Sequence, residues 1–200
     1  MLFRSHLIID FLKNWAGISD EDSEIAALTK LESAIRSIAP EDLREILPFV
    51  ATLMGVKLVG RYAERVKGIE GEALEKLILK NVRDLITKST EKIPLVIILE
   101  DLHWADMSSI ELLESLFRLA ETKRVIFINI FRPGYKETGE RIVETIKERL
   151  TAHYEEIRIE PLNEQMRETL IDNMLNIKGL PHGVKNKIIR RASGNPFFIE

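Results

Sequence analysis

The stretch that decides the fold lies at residues 95–106 and reads Leu95-Val96-Ile97-Ile98-Leu99-Glu100-Asp101-Leu102-His103-Trp104-Ala105-Asp106. Its first five residues are aliphatic and rich in β-branched side chains, and the run is too short for a typical helix. It therefore predicts a strand that is buried on both faces. Two adjacent carboxylates end this strand. Like charges at the end of a buried strand repel each other and lose hydration, so a positive group is expected nearby.

Two further strands are predicted downstream, at residues 125–131 and 156–160. The first is another continuous apolar run, and the second alternates apolar and polar residues, as a half-exposed strand does. Helices from about 109 to 121 and from about 139 to 153 separate the three strands. Strand and helix alternating at these spacings indicate right-handed βαβ crossovers and a parallel sheet, so the fold class is α/β.

Helices are predicted on both sides of this α/β region. Upstream, apolar residues recur at helical spacing in four segments, at 3–15, 23–38, 40–50 and 72–87. Downstream, helices are expected at 163–177 and from about 182 to 192. We therefore divide the chain into a helical segment at 1–90, an α/β core at 91–161 and a second helical portion at 162–200.

Composition excludes several classes of protein. The chain has 200 residues, 45% of them hydrophobic, with 29 Lys and Arg against 32 Asp and Glu, which gives a formal charge of -3. This is an ordinary globular balance without the basic field that favours nucleic acid or an anionic membrane. There is no cysteine, which excludes disulfides and thiolate zinc sites. The apolar run at residues 7–9 is too short for a membrane span. We expect a cytoplasmic protein without membrane or direct nucleic-acid partners.

The end of the first strand is the candidate site. In an open parallel sheet, ligands bind outside the carboxyl ends of the strands, so Glu100 and Asp101 are expected in the same crevice as Arg132, which follows the second strand. One or two carboxylates commonly hold a hydrated Mg²⁺, and a second acid can orient or deprotonate a water. Two alternatives remain. For the two acids, the alternative is that both are solvated in a loop and help the next helix to start. For Arg132, the alternative is a surface ion pair.

Three neighbours of these acids are assigned structural roles. His103 has no second histidine nearby, so a hydrogen-bonded structural residue is favoured over a zinc ligand. Trp104 is expected to pack at the edge of the sheet. Asp106 or Ser108 is expected to cap the next helix, Ser108 together with Glu111 as a capping box.

Residues 95–106 resemble the Walker B segment of the STAND class of P-loop NTPases. The resemblance is closest to the AAA-like ATPase modules attached to bacterial adenylate/guanylate cyclases, LuxR-type regulators and some protein kinases. It implies a partial P-loop NTPase core, with ATP and Mg²⁺ as cofactors of the parent protein. Glu100 falls where the family has its Mg²⁺-associated acid, which is more usually Asp, and Asp101 falls where it has the water-directing acid.

Two further segments carry the same resemblance. Residues Phe131-Arg132-Pro133 are similar to the sensor 1 element, whose arginine faces the terminal phosphate, and Ile130 stands where the family often has threonine. Residues Gly194-Asn195-Pro196 resemble the GNP element, at which a helical lid contacts the base and sugar of the nucleotide. Local chemistry alone reads the same residues as a helix–loop–helix junction.

The sequence contains no phosphate-binding loop of the form GxxxxGK[ST]. That loop supplies the backbone amides and the lysine that hold the β and γ phosphates. We therefore expect the chain to be a portion of the family's module that starts after this loop and the second strand, and to be inactive alone. The family's strand order 5-1-4-3-2 would leave the strand at 156–160 without its neighbour and would expose sheet edges and faces.

Three functions are compared. The leading hypothesis is the C-terminal portion of an ATP-binding and ATP-hydrolysing STAND-type signalling module. Its expected partners are a covalently attached output or sensor domain and, by self-association, a second copy of the chain. The alternative is a non-catalytic regulatory or oligomerisation domain with a degenerate NTPase fold. A metal-dependent hydrolase using Glu100, Asp101, His103 and Asp106 is the weakest, because these side chains span a strand end and a loop without a second ligand cluster.

Overall fold

The computed structural model describes residues 6–175, 182–192 and 195–198, and its contacts divide the chain into two compact units, 1–154 and 155–200. The predicted domain boundaries at residues 90 and 161 stay a prediction. The helices of the first unit are α1 (His6–Ala16), α2 (Glu24–Ile38), α3 (Leu43–Leu53), α4 (Arg61–Val66), α5 (Gly71–Lys92), α6 (Met107–Phe117) and α7 (Arg141–Arg149). From residue 6 onward, the described part of the first 90 residues is thus mainly helical.

Two strands, β1 (Leu95–Leu99) and β2 (Val125–Asn129), pair in parallel, in register from Leu95↔Val125 to Leu99↔Asn129. This confirms the first predicted strand and the parallel pairing. The second strand ends two residues before the predicted end. Two hydrogen bonds continue past the last pair, because Ile130 donates its N–H to the Leu99 carbonyl at 2.8 Å and its own carbonyl accepts the N–H of Leu102 at 3.1 Å. The regular ladder ends where Asp101, two residues after β1, leaves the extended conformation.

Helices cover one face of this sheet. On that face the strands present Ile97, Leu99 and Phe127, which pack against apolar residues of α1, α5 and α6, namely Ile8, Phe11, Val82, Ile86, Leu113 and Leu116. Burying these side chains supplies the hydrophobic free energy that keeps a sheet of only two strands folded.

The opposite face is uncovered, so the expectation of strands buried on both faces is wrong. The paired residues Val96 and Ile126, and Ile98 and Ile128, are exposed on this face. Successive side chains on β1 show the contrast, with Ile97 5% exposed and Ile98 55% exposed. Side chains alternate between the faces of a strand, and the described helices pack on one of them only. A continuous apolar run reveals that a strand suits burial, but it does not reveal that both faces are covered.

The third predicted strand does not form. Residues 154–163 carry no regular secondary structure, and Ile157 and Ile159 are 81% and 91% exposed. A strand requires a neighbour that accepts and donates its ladder hydrogen bonds, and within the described residues the sheet contains β1 and β2 alone. The alternating sequence pattern is present, but the pairing that would turn it into a strand is not.

The second unit is described as two helices, α8 (Glu164–Leu175) and α9 (His182–Ala192), close to the predicted positions. Asn163 starts α8, because its Oδ1 accepts the N–H of Met166 at 2.9 Å. In the ranges described, none of the helices of either unit has both the length and the apolar character required to cross a bilayer.

A half-buried ion pair joins α6 to α7. Arg141 donates from Nε and Nη2 to the two carboxylate oxygens of Glu114, at 2.8 and 2.9 Å, and Thr145 Oγ1 donates to Oε1 at 2.9 Å. Burial acts to raise the pKa of the Glu114 carboxyl, but the hydrogen bonds from Arg141 and Thr145 outweigh it, so this pKa lies below its usual value. The pair fixes α7 beside the helix that follows the candidate site.

Because the described helices cover one face of the sheet, substitutions at two neighbouring residues of β1 should change the free energy of unfolding by very different amounts. Ile97→Thr should lower the free energy of unfolding by about 2 to 4 kcal/mol, because it removes buried apolar atoms and buries a hydroxyl. Ile98→Thr should change it by less than about 0.5 kcal/mol, because threonine keeps the strand propensity and the site is exposed. Urea denaturation of both variants measures the difference. Similar losses in the two variants would mean that the uncovered face is buried in solution.

The Glu114 pair predicts a pH-dependent stability. A carboxyl whose pKa is lowered by folding contributes stability above its unfolded pKa of about 4.3, and this contribution is lost as pH falls through the folded value. Glu114→Gln should therefore destabilise the chain by about 1 kcal/mol at pH 7, and the difference from the parent should shrink toward pH 3. The urea midpoints at both pH values measure it, with the exposed Glu121→Gln as control. A pH-independent difference would assign the loss to packing.

Candidate functional site

The parallel pairing brings the predicted site residues to one edge of the sheet. Glu100 and Asp101 directly follow β1, and Arg132 comes three residues after the end of β2. The carboxyl ends of parallel strands meet at the same edge. The hydrogen bond from Leu102 N–H to the Ile130 carbonyl joins the two segments just beyond the strands. Two acids and one base therefore lie on neighbouring segments that the backbone ties together.

Asp101 has an unusual backbone. Its φ of 53° and ψ of 32° place it in the left-handed region, and within the described residues it is the single non-glycine residue with positive φ. Aspartate tolerates this region better than most residues, at a cost of order 1–3 kcal/mol. The Trp104 N–H donates to the Asp101 carbonyl at 2.8 Å, and Leu102 is fully buried, so the turn is held from both sides. The Asp101 side chain is 74% exposed.

Neither acid starts the next helix, because Asp106 does. Asp106 Oδ1 accepts the N–H of Ser109 at 2.8 Å, and Oδ2 accepts the hydroxyl of Ser109 at 2.7 Å and the N–H of His6 at 3.2 Å. Of the two predicted caps, Asp106 and Ser108, the structure shows Asp106. Both of its oxygens are engaged, which counts against the metal-dependent hydrolase.

The two exposed acids match Mg²⁺ in the chemistry of their donors. Carboxylate oxygens are the ligands that Mg²⁺ prefers, and it commonly takes only one or two of them and completes its shell with water and phosphate oxygens. Glu100 and Asp101 could supply such a partial set. Within the described residues, no group of three or more His, Cys, Asp or Glu side chains could hold a metal. A set of two carboxylates leaves the remaining positions of a Mg²⁺ shell to water or phosphate oxygens.

Arg132 is exposed, and no acidic side chain in the described part of the chain forms an ion pair with it. The chain turns directly after it, where the Gly134 N–H donates to Glu140 Oε1 at 2.9 Å. The surface ion pair that was the alternative for this residue is not formed in the described structure, so its guanidinium is available to an anionic ligand.

A close contact behind Arg132 was missed by sequence reasoning. Residues Lys136–Glu140 form a turn of π-helix that leads into α7, and π-helical turns are frequent at functional sites. A Cβ atom on Gly139 would lie 2.2 Å from Cδ2 of Phe131, the residue before Arg132. The available signal was a single glycine inside a helical pattern. This glycine lets the Phe131 ring lie against the π turn and so fixes the backbone that carries Arg132.

His103 and Trp104 depart from their predicted roles. His103 is buried, with its side chain 1% exposed, and neither ring nitrogen has a hydrogen-bond partner in the described part of the chain. The prediction that His103 is hydrogen-bonded is therefore wrong within the described residues. Trp104 is largely exposed, and its ring lies 4.9 Å from that of His103 and 5.6 Å from that of Tyr135, centroid to centroid. Trp104 therefore packs on these two rings, and the sequence analysis did not predict this contact.

The third predicted segment lies in the second unit. Gly194 is outside the described residues. Asn195 Oδ1 accepts the N–H of Phe197 at 3.0 Å, and Pro196 begins a short 3₁₀ turn that ends at Phe198. A local capping role accounts for the Asn195 side chain in this structure. The nucleotide contact proposed for Gly194, Asn195 and Pro196 stays a prediction.

Comparison with known proteins agrees with the central part of this picture. Residues 7–128, more than half of the chain, match the family model described as AAA ATPase domain. The matched range holds Glu100, Asp101 and the helices that cover the sheet, and Arg132 lies just beyond it. No curated protein matches the chain, and no solved structure does.

The contact between Gly139 and Phe131 yields a prediction. Gly139→Ala should destabilise the chain by about 1 to 3 kcal/mol, because the new methyl group overlaps the aromatic ring. Phe131→Leu should relieve part of this loss in the double variant. Thermal melts measure both effects. Gly183→Ala, at a helical glycine with nothing within 4 Å, is the control and should be neutral or stabilising. A Gly139→Ala variant as stable as the parent would show that the ring is free to move.

Proposed function

The chain belongs to the AAA ATPase domain family, and from this premise we propose that it contributes the Walker B acids and a phosphate-sensing arginine to a STAND-type ATP-dependent switch. Members of the family generally use nucleotide and Mg²⁺. The observation that carries the proposal is the parallel pairing of β1 with β2, which puts Glu100, Asp101 and Arg132 at one sheet edge. All three side chains are exposed there and are accessible to a ligand.

Each residue has a distinct role in this proposal. Glu100 would hold the Mg²⁺, and that ion would neutralise charge on the phosphate oxygens. Asp101 accepts a hydrogen bond from the attacking water and orients it toward the terminal phosphate. Arg132 donates its N–H groups to the oxygens of that phosphate and stabilises the charge that develops on them.

The phosphate cradle is the missing component. The 200 residues contain no GxxxxGK[ST] loop, and the two acids and Arg132 alone leave most of a triphosphate without partners. We propose that another segment of a longer protein supplies this loop and that the 200-residue chain alone neither binds nor hydrolyses ATP appreciably. The helical second unit would act as the lid, with Gly194, Asn195 and Pro196 on the nucleotide, and the nucleotide state would be passed to an attached output or sensor domain.

A second candidate function is favoured by a different observation. The uncovered sheet face carries four aliphatic side chains on two strands, and such patches commonly mark interaction surfaces. This supports a regulatory or oligomerisation domain that keeps the architecture without nucleotide chemistry. Ile130, in the place of the family's frequent threonine, is in accord with it. The two candidates differ in whether a version of the protein that includes the phosphate loop hydrolyses ATP.

The test uses a version of the protein extended to include the phosphate loop. Asp101→Asn should lower kcat by about 10²- to 10⁴-fold while the dissociation constant for Mg-ATP changes little, because the proposed role concerns the attacking water. Arg132→Ala should weaken the binding of ATP more than that of ADP, because only ATP carries the terminal phosphate.

The control is Glu121→Gln, which removes an exposed acid that precedes β2, whereas Arg132 follows this strand. It should match the parent in turnover and in affinity. Equal turnover of the parent and the Asp101→Asn variant would remove Asp101 from the mechanism. If the unmutated protein contains the loop but does not bind nucleotide, the result would favour the regulatory domain. Low-micromolar Mg-ATP binding by the 200-residue chain, measured by calorimetry, would contradict the proposed need for the cradle.

A further inference from the structure

His103 combines burial with unused hydrogen-bonding capacity. Its side chain is 1% exposed, and both Nδ1 and Nε2 are buried without a partner in the described residues. A neutral imidazole carries one donor and one acceptor, and buried polar atoms are nearly always paired. We therefore expect that a neighbouring polar group can move close enough to form a hydrogen bond with one of these nitrogens.

The nearest candidate partner is the carboxylate of Asp101. His103 Nε2 lies 3.9 Å from Asp101 Oδ1, which is beyond hydrogen-bond range by about 1 Å. The Asp101 side chain is 74% exposed, so rotation about its side-chain bonds meets little resistance. A small movement of one exposed group would complete the bond.

The histidine itself is held in place. Its ring lies between those of Trp104 and Tyr135, each 4.9 Å away between centroids. Its carbonyl accepts the hydroxyl of Thr138 at 3.5 Å, and the residue before it, Leu102, is tied to Ile130. The donor is therefore fixed, the acceptor is mobile, and the rings keep water away from the histidine nitrogens.

We propose that His103 is a positioning residue for Asp101: its Nε2–H donates to Oδ1 and fixes the carboxylate so that Oδ2 faces a cation or a water. The proposal rests on the proposed function of Asp101 at the nucleotide site. Carboxylates that bind metals or waters are usually oriented by such outer hydrogen bonds, and loss of the partner typically costs 10- to 100-fold in metal affinity. His103 would act through Asp101 and would touch neither nucleotide nor metal.

The first measurement is ¹⁵N NMR of histidine-labelled full chain at pH 8. His103 should be the Nε2–H tautomer, with a slowly exchanging proton, and the exposed His153 serves as the reference signal. Asp101→Ala should shift the Nε2 resonance and speed the exchange of its proton, while Glu100→Ala should leave both unchanged. An Nδ1–H tautomer, or a spectrum that Asp101→Ala does not alter, would overturn the proposal.

The second measurement is the binding of Mn²⁺, used as a paramagnetic stand-in for Mg²⁺, to the same chain. His103→Phe keeps the ring and removes the donor, so the Mn²⁺ affinity at Glu100 and Asp101 should fall about 10- to 100-fold without a fall in melting temperature. His103→Gln restores an N–H donor and should recover part of the affinity. Parental affinity in His103→Phe would overturn the positioning role.

The two measurements separate this inference from the function on which it rests. Absence of Mn²⁺ binding in the parent, together with an Nε2 signal that depends on Asp101, would remove the cation site and leave the His103–Asp101 bond established. If Mn²⁺ binding requires Asp101 but is unchanged by His103→Phe, the cation site stands and the positioning role of His103 is overturned. Circular dichroism of each variant shows that it is folded before either comparison is made.

Discussion

The parallel pairing of β1 with β2 is the interaction on which the rest of the structure depends. Its register places the ends of both strands at one edge, and two hydrogen bonds beyond the last pair, Ile130 to Leu99 and Leu102 to Ile130, extend the connection past the ladder. Glu100, Asp101 and Arg132 share that edge only because this pairing is parallel. The same pairing makes one continuous apolar surface, on which α1, α5 and α6 pack.

Departures from local rules concentrate near this edge. Asp101 occupies a left-handed backbone conformation, His103 buries two nitrogens without partners, and Gly139 lies in a π-helical turn against Phe131. Each feature has an energetic cost, and proteins retain such features where function or a tight packing contact requires them. Ordinary capping and pairing also occur in the first unit: Ser23 and Asp106 cap their helices, and Glu114 is paired with Arg141.

The uncovered sheet face differs from this edge, because its exposed side chains are all aliphatic. It presents Val96, Ile98, Ile126 and Ile128 to solvent with no charged side chain among the exposed positions of either strand. Parallel sheets are almost always covered on both faces, since their strands contain few polar residues to meet water. The aliphatic sequence of these strands is therefore suited to two covered faces, while the described helices cover one.

The amino-acid sequence by itself determined the elements whose causes are local. Helical periodicity placed the helices other than α4, the aliphatic runs placed β1 and β2, and the candidates for the cap of α6 were limited to Asp106 and Ser108. It also placed Glu100, Asp101 and Arg132 at strand ends, because the alternation of strand and helix implies parallel pairing. Tertiary structure decided what depends on partners distant in the chain: whether residues 156–160 find a neighbouring strand, which sheet face is covered, and what surrounds the His103 ring. Periodicity and capping act over a few residues, whereas ladder hydrogen bonds, burial and ring contacts require segments that only the folded chain brings together.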